Sequence, residues 1–129
     1  NRRNMRFAGE LAEREAAVLT HVRKLGRARA CSKALRRGTH RTLLVHQNLL
    51  AYGRDAGDGH PALVVLNPAT VQRQVALELP ADWTMAPDAA FSDLFGAPVD
   101  EREGRVTVTV SPRASAVLLS EAACSEVDP

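Results

Sequence analysis

The feature that most constrains the fold is a change of hydrophobic period at residues 34–38, where the sequence runs Ala-Leu-Arg-Arg-Gly. Before this segment, apolar residues recur at helical spacing; after it, they alternate with polar residues. Because a period near 3.6 indicates a helix and a period of two indicates a half-buried strand, the segment separates a helical part from a strand-rich part. No constellation of catalytic residue types follows it, so the chain carries no visible chemistry of its own.

Residues 11–31 are predicted to form one long helix, because their apolar side chains project to one side at about 100° per residue. These side chains are Leu11, Val18, Val22 and Leu25, with Leu19 beside them. The opposite side is basic and carries His21, Arg23, Lys24 and Arg27. Acidic residues near the start of the helix and arginines near its end suit the helix dipole.

After residue 39 the sequence predicts short strands, separated by turn-forming residues and without intervening helices. The candidate strands are Arg41–His46, Leu49–Arg54, Ala62–Asn67, Gln72–Leu79, Arg105–Val110 and Ser115–Leu119, with a short strand or turn at Phe91–Gly96. The expected fold is therefore mainly β: an antiparallel β-sandwich of six to eight strands with Greek-key-like connections, preceded by one long N-terminal α-helix.

Charge is distributed unevenly along the chain. Residues 1–41 carry 12 of the 17 basic residues and three acidic ones, whereas the remainder is acidic, and the formal net charge is +2. The basic helix has no interleaved aromatic residues and no recognition-helix motif, so we expect no nucleic-acid partner. No apolar run approaches the roughly 20 residues of a membrane span, so we expect no membrane association.

The two cysteines, Cys31 and Cys124, match neither a disulfide framework nor a zinc motif, and the compartment stays open. The chain begins at Asn1 rather than at a methionine, from which we expect a segment of a longer protein.

The candidate site residues of this chain are its acidic residues and its histidines. The acidic residues outside the helix lie mostly in turns, and no two form a credible catalytic pair. The acids in turns or beside polar neighbours are Asp55, Asp58, Asp82, Asp88, Asp100, Glu101 and Glu103. The four histidines, at 21, 40, 46 and 60, lack ligand spacing; His40 and His46, for example, would lie about 20 Å apart on one strand. We therefore predict no catalytic, metal or cofactor residue in this segment.

Aromatic side chains and serine hydroxyls are two further kinds of residue that could act on a carbohydrate. Tyr52, Trp83 and Phe91 are the aromatic residues that could stack on a sugar, but such residues are more often core anchors. The hydroxyls of Ser111, Ser115 and Ser120 have no plausible base nearby and no nucleophile-elbow pattern.

Four motifs in order resemble the C-terminal portion of the α-amylase family of (β/α)8-barrel glycoside hydrolases. Residues 1–7 resemble the loop after the last barrel strand, and residues 34–41 resemble the linker after the last barrel helix. The run Leu-Leu-Ala-Tyr-Gly-Arg at 49–54 with Leu-Val-Val-Leu-Asn at 63–67 resembles a strand pair of the family. Residues 93–96 and 104–119 resemble its closing strands.

The resemblance implies that residues 1–38 are the end of a catalytic barrel, residues 39–120 a C-terminal β-sandwich domain, and residues 121–129 a tail. It implies a non-catalytic supporting domain, inert alone, of an enzyme acting on α-glucans or α-glucosides. The catalytic barrel of the same parent chain is then its partner, and the catalytic carboxylates lie upstream. Arg2 and Arg3 are the only substrate-binding candidates, because the matching loop lies on the catalytic face of the barrel.

Two alternatives of other classes stay open. In the first alternative, the sandwich is a carbohydrate-binding module. In the second, the chain is a self-associating interaction domain that forms a homodimer through the apolar stripe of its helix. The sequence does not decide the parent's substrate, whether the parent hydrolyses or transfers, or whether a calcium site exists upstream.

Overall fold

The computed structural model describes residues 4–128 and contains three helices, eight strands and a short 3-10 turn at Ala8–Glu10. The helices are α1 (Glu13–Cys31), α2 (Lys33–Arg37) and α3 (Ala122–Ser125). The strands are β1 (Thr39–His46), β2 (Leu49–Asp55), β3 (Ala62–Asn67), β4 (Arg73–Glu78), β5 (Ser92–Asp93), β6 (Val99–Arg102), β7 (Arg105–Val110) and β8 (Ala114–Leu119). Within residues 4–128, no helix is both long and apolar enough to cross a membrane.

The strands form two antiparallel sheets, which confirms the predicted fold class. The five-stranded sheet has the order β1-β2-β3-β8-β5, and the three-stranded sheet has the order β4-β7-β6. The chain crosses between the sheets four times: after β3, after β4, after β5 and after β7. Each crossing brings residues distant in sequence into one core.

The main core lies between the two sheets and follows from the period-two pattern. In β7, the three valines are buried while Thr107 and Thr109 are half-buried, as alternation predicts for a sheet with one wet side. The core side chains of the five-stranded sheet are Ala51, Leu63, Val65, Ala116 and Leu118; those of the three-stranded sheet are Val75, Leu77, Val106, Val108 and Val110. Phe91 and the half-buried Trp83 complete this core.

A second apolar cluster attaches the helices to the outer face of the five-stranded sheet. Its buried residues are Ala28, Ala34, Ala62, Leu94, Val117, Leu119 and Cys124. The strand β3 is therefore covered on both faces over most of its length, as its continuous apolar run predicts. The molecule has three layers: helices, five-stranded sheet and three-stranded sheet.

The end of α1 is set by Ser32, which has extended backbone angles. Its N–H donates to the carbonyl of Ala28, and its hydroxyl accepts the N–H of Leu35, which caps the start of α2. The predicted helix end is thus confirmed, but residues 33–37 form an additional short helix that the pattern did not predict. Five residues are too few to show a helical period.

Two other features differ from the sequence-based expectation. Strand β6 was not predicted, because only Val99 among its four residues is apolar and an exposed edge strand needs no alternating pattern. Cys31 and Cys124 form a disulfide although they lie 93 positions apart. The sequence placed them at the edges of two separate elements, and only the packing of α1 against α3 brings their Cα atoms to 5.4 Å.

Candidate functional site

An exposed row of apolar side chains crosses the outer face of the five-stranded sheet. Val45, Leu50 and Leu66 are cross-strand partners in β1, β2 and β3, so their side chains lie on one face. Their exposed fractions are 72%, 36% and 38%, respectively. The helices cover the other end of this face, at Ala62 and Leu119, but leave this row uncovered.

Helix α1 contributes two more exposed apolar side chains, Val18 and Val22, with exposed fractions of 63% and 57%. Both belong to the predicted apolar stripe, of which only Leu25 packs against the helix–sheet cluster. We call Val18, Val22, Val45, Leu50 and Leu66 together the free apolar face. Apolar residues gathered in this way on a soluble domain mark an interaction surface more often than isolated ones do.

An open groove of about 1070 Å³ lies between α1 and the exposed row. Its walls are mostly apolar, and Arg113 is among its lining residues. The residues that line it are His21, Val45, His46, Gln47, Leu49, Leu50, Leu66, Asn67, Pro68, Phe95, Arg113, Ala114 and Ser115. Helix α1 contributes His21 to this lining, and Val18 and Val22 lie outside it, so the groove borders the helix and contains the whole exposed row of the sheet.

Two residues from the predicted basic side of α1, His21 and Lys24, contact Phe95, which follows β5. The His21 ring stacks on Phe95, with centroids 4.2 Å apart and planes within 5°, and the Lys24 ammonium lies 5.9 Å from the same ring centroid. Ala28 continues this line into the buried cluster. Because the stripe of Val18 and Val22 is on a neighbouring side of the helix, contact through His21 and Ala28 leaves that stripe free.

The acidic residues serve turns and ion pairs rather than a common site. Asp55 and Asp58 each accept a backbone N–H two residues ahead, and Glu101 accepts the N–H of Phe91. Asp82 forms a two-bond ion pair with Arg41, and the side-chain hydrogen bond from this guanidinium lowers the pKa of Asp82. These positions are spread over both sheets and their turns.

Asp88 and Asp100 each lie beside one basic residue. Asp88 is 3.8 Å from His60, and Asp100 is 3.0 Å from Arg102. Glu103 sits in the turn before β7 with a left-handed φ of 49°.

Within residues 4–128, the only group of three potential metal-ligand side chains is Cys31, Glu121 and Cys124, whose ligand atoms lie within 4.8 Å of one another. Both cysteines are bonded to each other, so they offer no thiolate. The histidines are dispersed: His21 stacks on Phe95, and His40 is 4.9 Å from the ring of Tyr52.

The three aromatic residues that could stack on a sugar lie at structural positions. Phe91 is buried in the main core, and Trp83 packs against it, directly over Gly53. Tyr52 lies against His40 on the outer face. Arg2 and Arg3, the substrate-binding candidates, lie outside the described residues. The sequence missed Val45, Leu50 and Leu66 as site residues, because only strand register aligns them.

No protein-family model matches this chain, and no curated protein matches its sequence. Solved structures do match its fold. A crystal structure of AmyP in complex with maltose has 23% identity and a TM-score of 0.68 over 86% of this chain and 22% of that one. An Anoxybacillus α-amylase has 18% identity and a TM-score of 0.67 over 85% of this chain and 24% of that one.

The debranching enzyme of Nostoc punctiforme also matches, with 16% identity and a TM-score of 0.61 over 80% of this chain and 20% of that one. The chain thus spans about a fifth to a quarter of the length of each enzyme. At these identities the likeness concerns the fold. Over most of its length, the chain has the fold of a segment of α-amylase-family enzymes, which confirms the resemblance found in its motifs.

Proposed function

We propose that this chain is a non-catalytic supporting domain of an α-amylase-family enzyme that acts on α-glucans or α-glucosides. In this proposal, α1 is the last helix of the catalytic barrel, and the two sheets form the C-terminal domain that follows it. The free apolar face is then the surface that the rest of the parent chain covers. The observation that carries the proposal is this face, because large apolar side chains of both the helix and the sheet are left exposed to water.

The burial pattern of α1 supports this assignment. One side of the helix packs on the sheet through His21 and Ala28, while a neighbouring side presents Val18 and Val22 to water. A helix with apolar residues on two sides is expected between two packed bodies. The sheet supplies one body here, and a barrel would supply the other.

The lengths of the matching structures support the same division. Each match spans most of this chain but only 20–24% of the enzyme. A domain that makes up a quarter of an enzyme leaves ample length for a catalytic barrel elsewhere, since such barrels typically need about 250 residues. The acids of this chain are occupied in turns and ion pairs, which suits a segment without catalytic duties.

The purified chain is expected to release no reducing ends from starch or maltooligosaccharides. Its carboxylates do not flank a common point, and retaining glycosidases need two carboxyl groups about 5–5.5 Å apart. A reducing-sugar assay, calibrated with a known α-amylase, checks this. Turnover that co-purifies with the chain through two columns would contradict the proposal.

Leu66→Lys tests whether the parent enzyme covers the free apolar face. The substitution is made both in the isolated chain and in the parent enzyme. In the isolated chain, Leu66 is partly exposed, so the free energy of unfolding should change by less than about 0.5 kcal/mol. In the parent enzyme, the same change would bury an ammonium group against the barrel and should destabilise it by about 1–3 kcal/mol. Thermal unfolding of both proteins measures the two effects.

Ala76→Lys provides the matched control, because Ala76 is exposed on β4 and its two strand neighbours, Val75 and Leu77, point into the core. This control should leave both the isolated chain and the parent unchanged. Equal effects of Leu66→Lys in the two contexts would mean that the barrel does not cover this face.

The free apolar face also favours one alternative, self-association of the chain. Sedimentation at several concentrations distinguishes the cases: a dimer that Leu66→Lys dissociates identifies a second copy as the partner. Retardation in a gel containing soluble starch would instead favour a carbohydrate-binding module.

A further inference from the structure

The disulfide between Cys31 and Cys124 joins the last residue of α1 to the short C-terminal helix α3. Cys124 is fully buried, and Cys31 is half-buried at the edge of the helix–sheet cluster. The bond closes a loop with a sequence separation of 93, so it spans every strand of both sheets. It therefore links the end of α1 directly to the C-terminal segment of the described fold.

Few other contacts hold α1 to the sheet. The first half of the helix carries the exposed Val18 and Val22, and its only fully buried residue is Ala28 in the last third. Beyond that, the helix is anchored by the stacking of His21 on Phe95 and by a hydrogen bond of 3.0 Å from the Arg27 guanidinium to the carbonyl of Asp128. That last bond reaches the same C-terminal segment that the disulfide holds.

We propose that the Cys31–Cys124 disulfide is a covalent lock that holds α1 and residues 121–128 together against the five-stranded sheet. The lock fixes the angle at which Val18 and Val22 face outward. When the bond is reduced, only the contact around Ala28, the stacking of His21 on Phe95 and the Arg27–Asp128 hydrogen bond hold the helix, and α1 and residues 121–128 open locally. This inference does not depend on the proposed enzymatic parent, because every contact that carries it lies within the chain.

The redox chemistry is an ordinary exchange. Formation of the bond removes two electrons and two protons from the two thiols, and an oxidised dithiol accepts them. Dithiothreitol reverses the step: it closes to a cyclic disulfide and returns the electrons and protons to Cys31 and Cys124. Bonds of this kind persist in oxidising compartments, and we infer that the folded protein resides in one.

Limited trypsin digestion of the full chain tests the lock, because α1 contains five cleavable residues: Arg14, Arg23, Lys24, Arg27 and Arg29. After reduction with dithiothreitol, cleavage within α1 is expected to accelerate at least about tenfold, and Tm to fall by about 10 °C or more. Cleavage at Arg105, in the three-stranded sheet, serves as the internal control and should accelerate less. EDTA is included, because freed thiolates beside Glu121 could bind zinc.

Cys31→Ser provides the variant control, since it removes the bond and leaves the buried Cys124 sulfur in place. Without reductant it should match the reduced wild-type chain, and dithiothreitol should not change it further. Alkylation of both cysteines in the native, unreduced protein would overturn the proposal, whether the protein is the purified chain or the parent from its natural source. An intact bond whose reduction changes neither trypsin cleavage nor Tm would also overturn it.

Discussion

Replacement of Asp93 with alanine is expected to lower the free energy of unfolding by about 4–6 kcal/mol, because the buried carboxylate accepts several backbone hydrogen bonds. One oxygen accepts the N–H of Val117 at 2.7 Å. The other accepts the N–H groups of Phe95 at 3.1 Å and Ala97 at 2.9 Å. Alanine would leave three donors without an acceptor where little water can enter, since Asp93 is only 8% exposed.

Asp93 also positions Phe95, the residue on which the helix α1 stacks. It lies in β5, pairs with Leu118 of β8 and fixes the turn that carries Phe95, on which His21 of α1 stacks. Loss of the carboxylate should therefore loosen the attachment of the helix in addition to the edge of the sheet. Hydrogen exchange of the α1 amides should increase in the variant.

Urea unfolding followed by circular dichroism measures the effect, and two variants calibrate it. Asp93→Asn keeps one carbonyl oxygen and should lose roughly half as much stability as Asp93→Ala. Asp88→Ala removes an acid with a side chain 83% exposed and should change the free energy by less than about 0.5 kcal/mol. A loss below about 1 kcal/mol for Asp93→Ala would show that the turn does not depend on this carboxylate.

Replacement of Asn67 with aspartate is expected to destabilise the chain by about 3–5 kcal/mol at neutral pH, although the two side chains have nearly the same shape. The Asn67 amide nitrogen donates to the carbonyls of Val71, Val110 and Ser111 at 3.0, 3.3 and 3.0 Å. Its oxygen accepts the N–H of Ala69 at 3.2 Å. A carboxylate oxygen in place of the amide nitrogen would face carbonyl oxygens and could donate nothing.

The position explains why the effect should be large. Asn67 is 1% exposed and ends β3 in the five-stranded sheet, while Val110 ends β7 in the three-stranded sheet. One amide therefore connects the two sheets at the end of the sandwich. No water is expected to compensate for a lost donor at such exposure.

The free energy of unfolding of Asn67→Asp, measured over a series of pH values, shows whether the charge of the new carboxylate causes the loss. The introduced carboxyl group is disfavoured in its charged form in the folded state, so its folded pKa is raised, and the variant regains stability as the pH falls below that pKa. The difference from wild type should shrink toward about pH 4. Asn48→Asp, in the exposed turn between β1 and β2, is the matched control and should cost less than about 0.5 kcal/mol. A pH-independent loss would contradict the electrostatic explanation.

The strands of the core could be predicted because their pattern and their burial have the same physical origin. The alternation at 105–110 predicted β7 with its bounds, and the apolar run at 62–67 predicted a strand covered on both faces. β6 could not be predicted, since an edge strand is stabilised by backbone pairing with β7 and buries little side-chain area. The short α2 was missed for a similar reason: it is defined by the Ser32 cap rather than by a period.

The free apolar face could be predicted only in its helical half. Val18 and Val22 stand out by their spacing along one helix, which is a local property. Val45, Leu50 and Leu66 are separated in sequence, and strand register alone aligns them. The contact of the basic side with Phe95 was also invisible, because stacking of His21 depends on how the helix docks.

The sequence by itself determined the two-part organisation, most of the strands, the valine-lined core and the resemblance to α-amylase-family enzymes. These properties depend on spacings of a few residues, which local chain geometry translates into faces. The tertiary structure alone decided the pairing of Cys31 with Cys124, the side of α1 that meets the sheet, and the apolar row across three strands. Each of these depends on residues distant in the chain, whose approach is set by the packing of whole elements rather than by any local period.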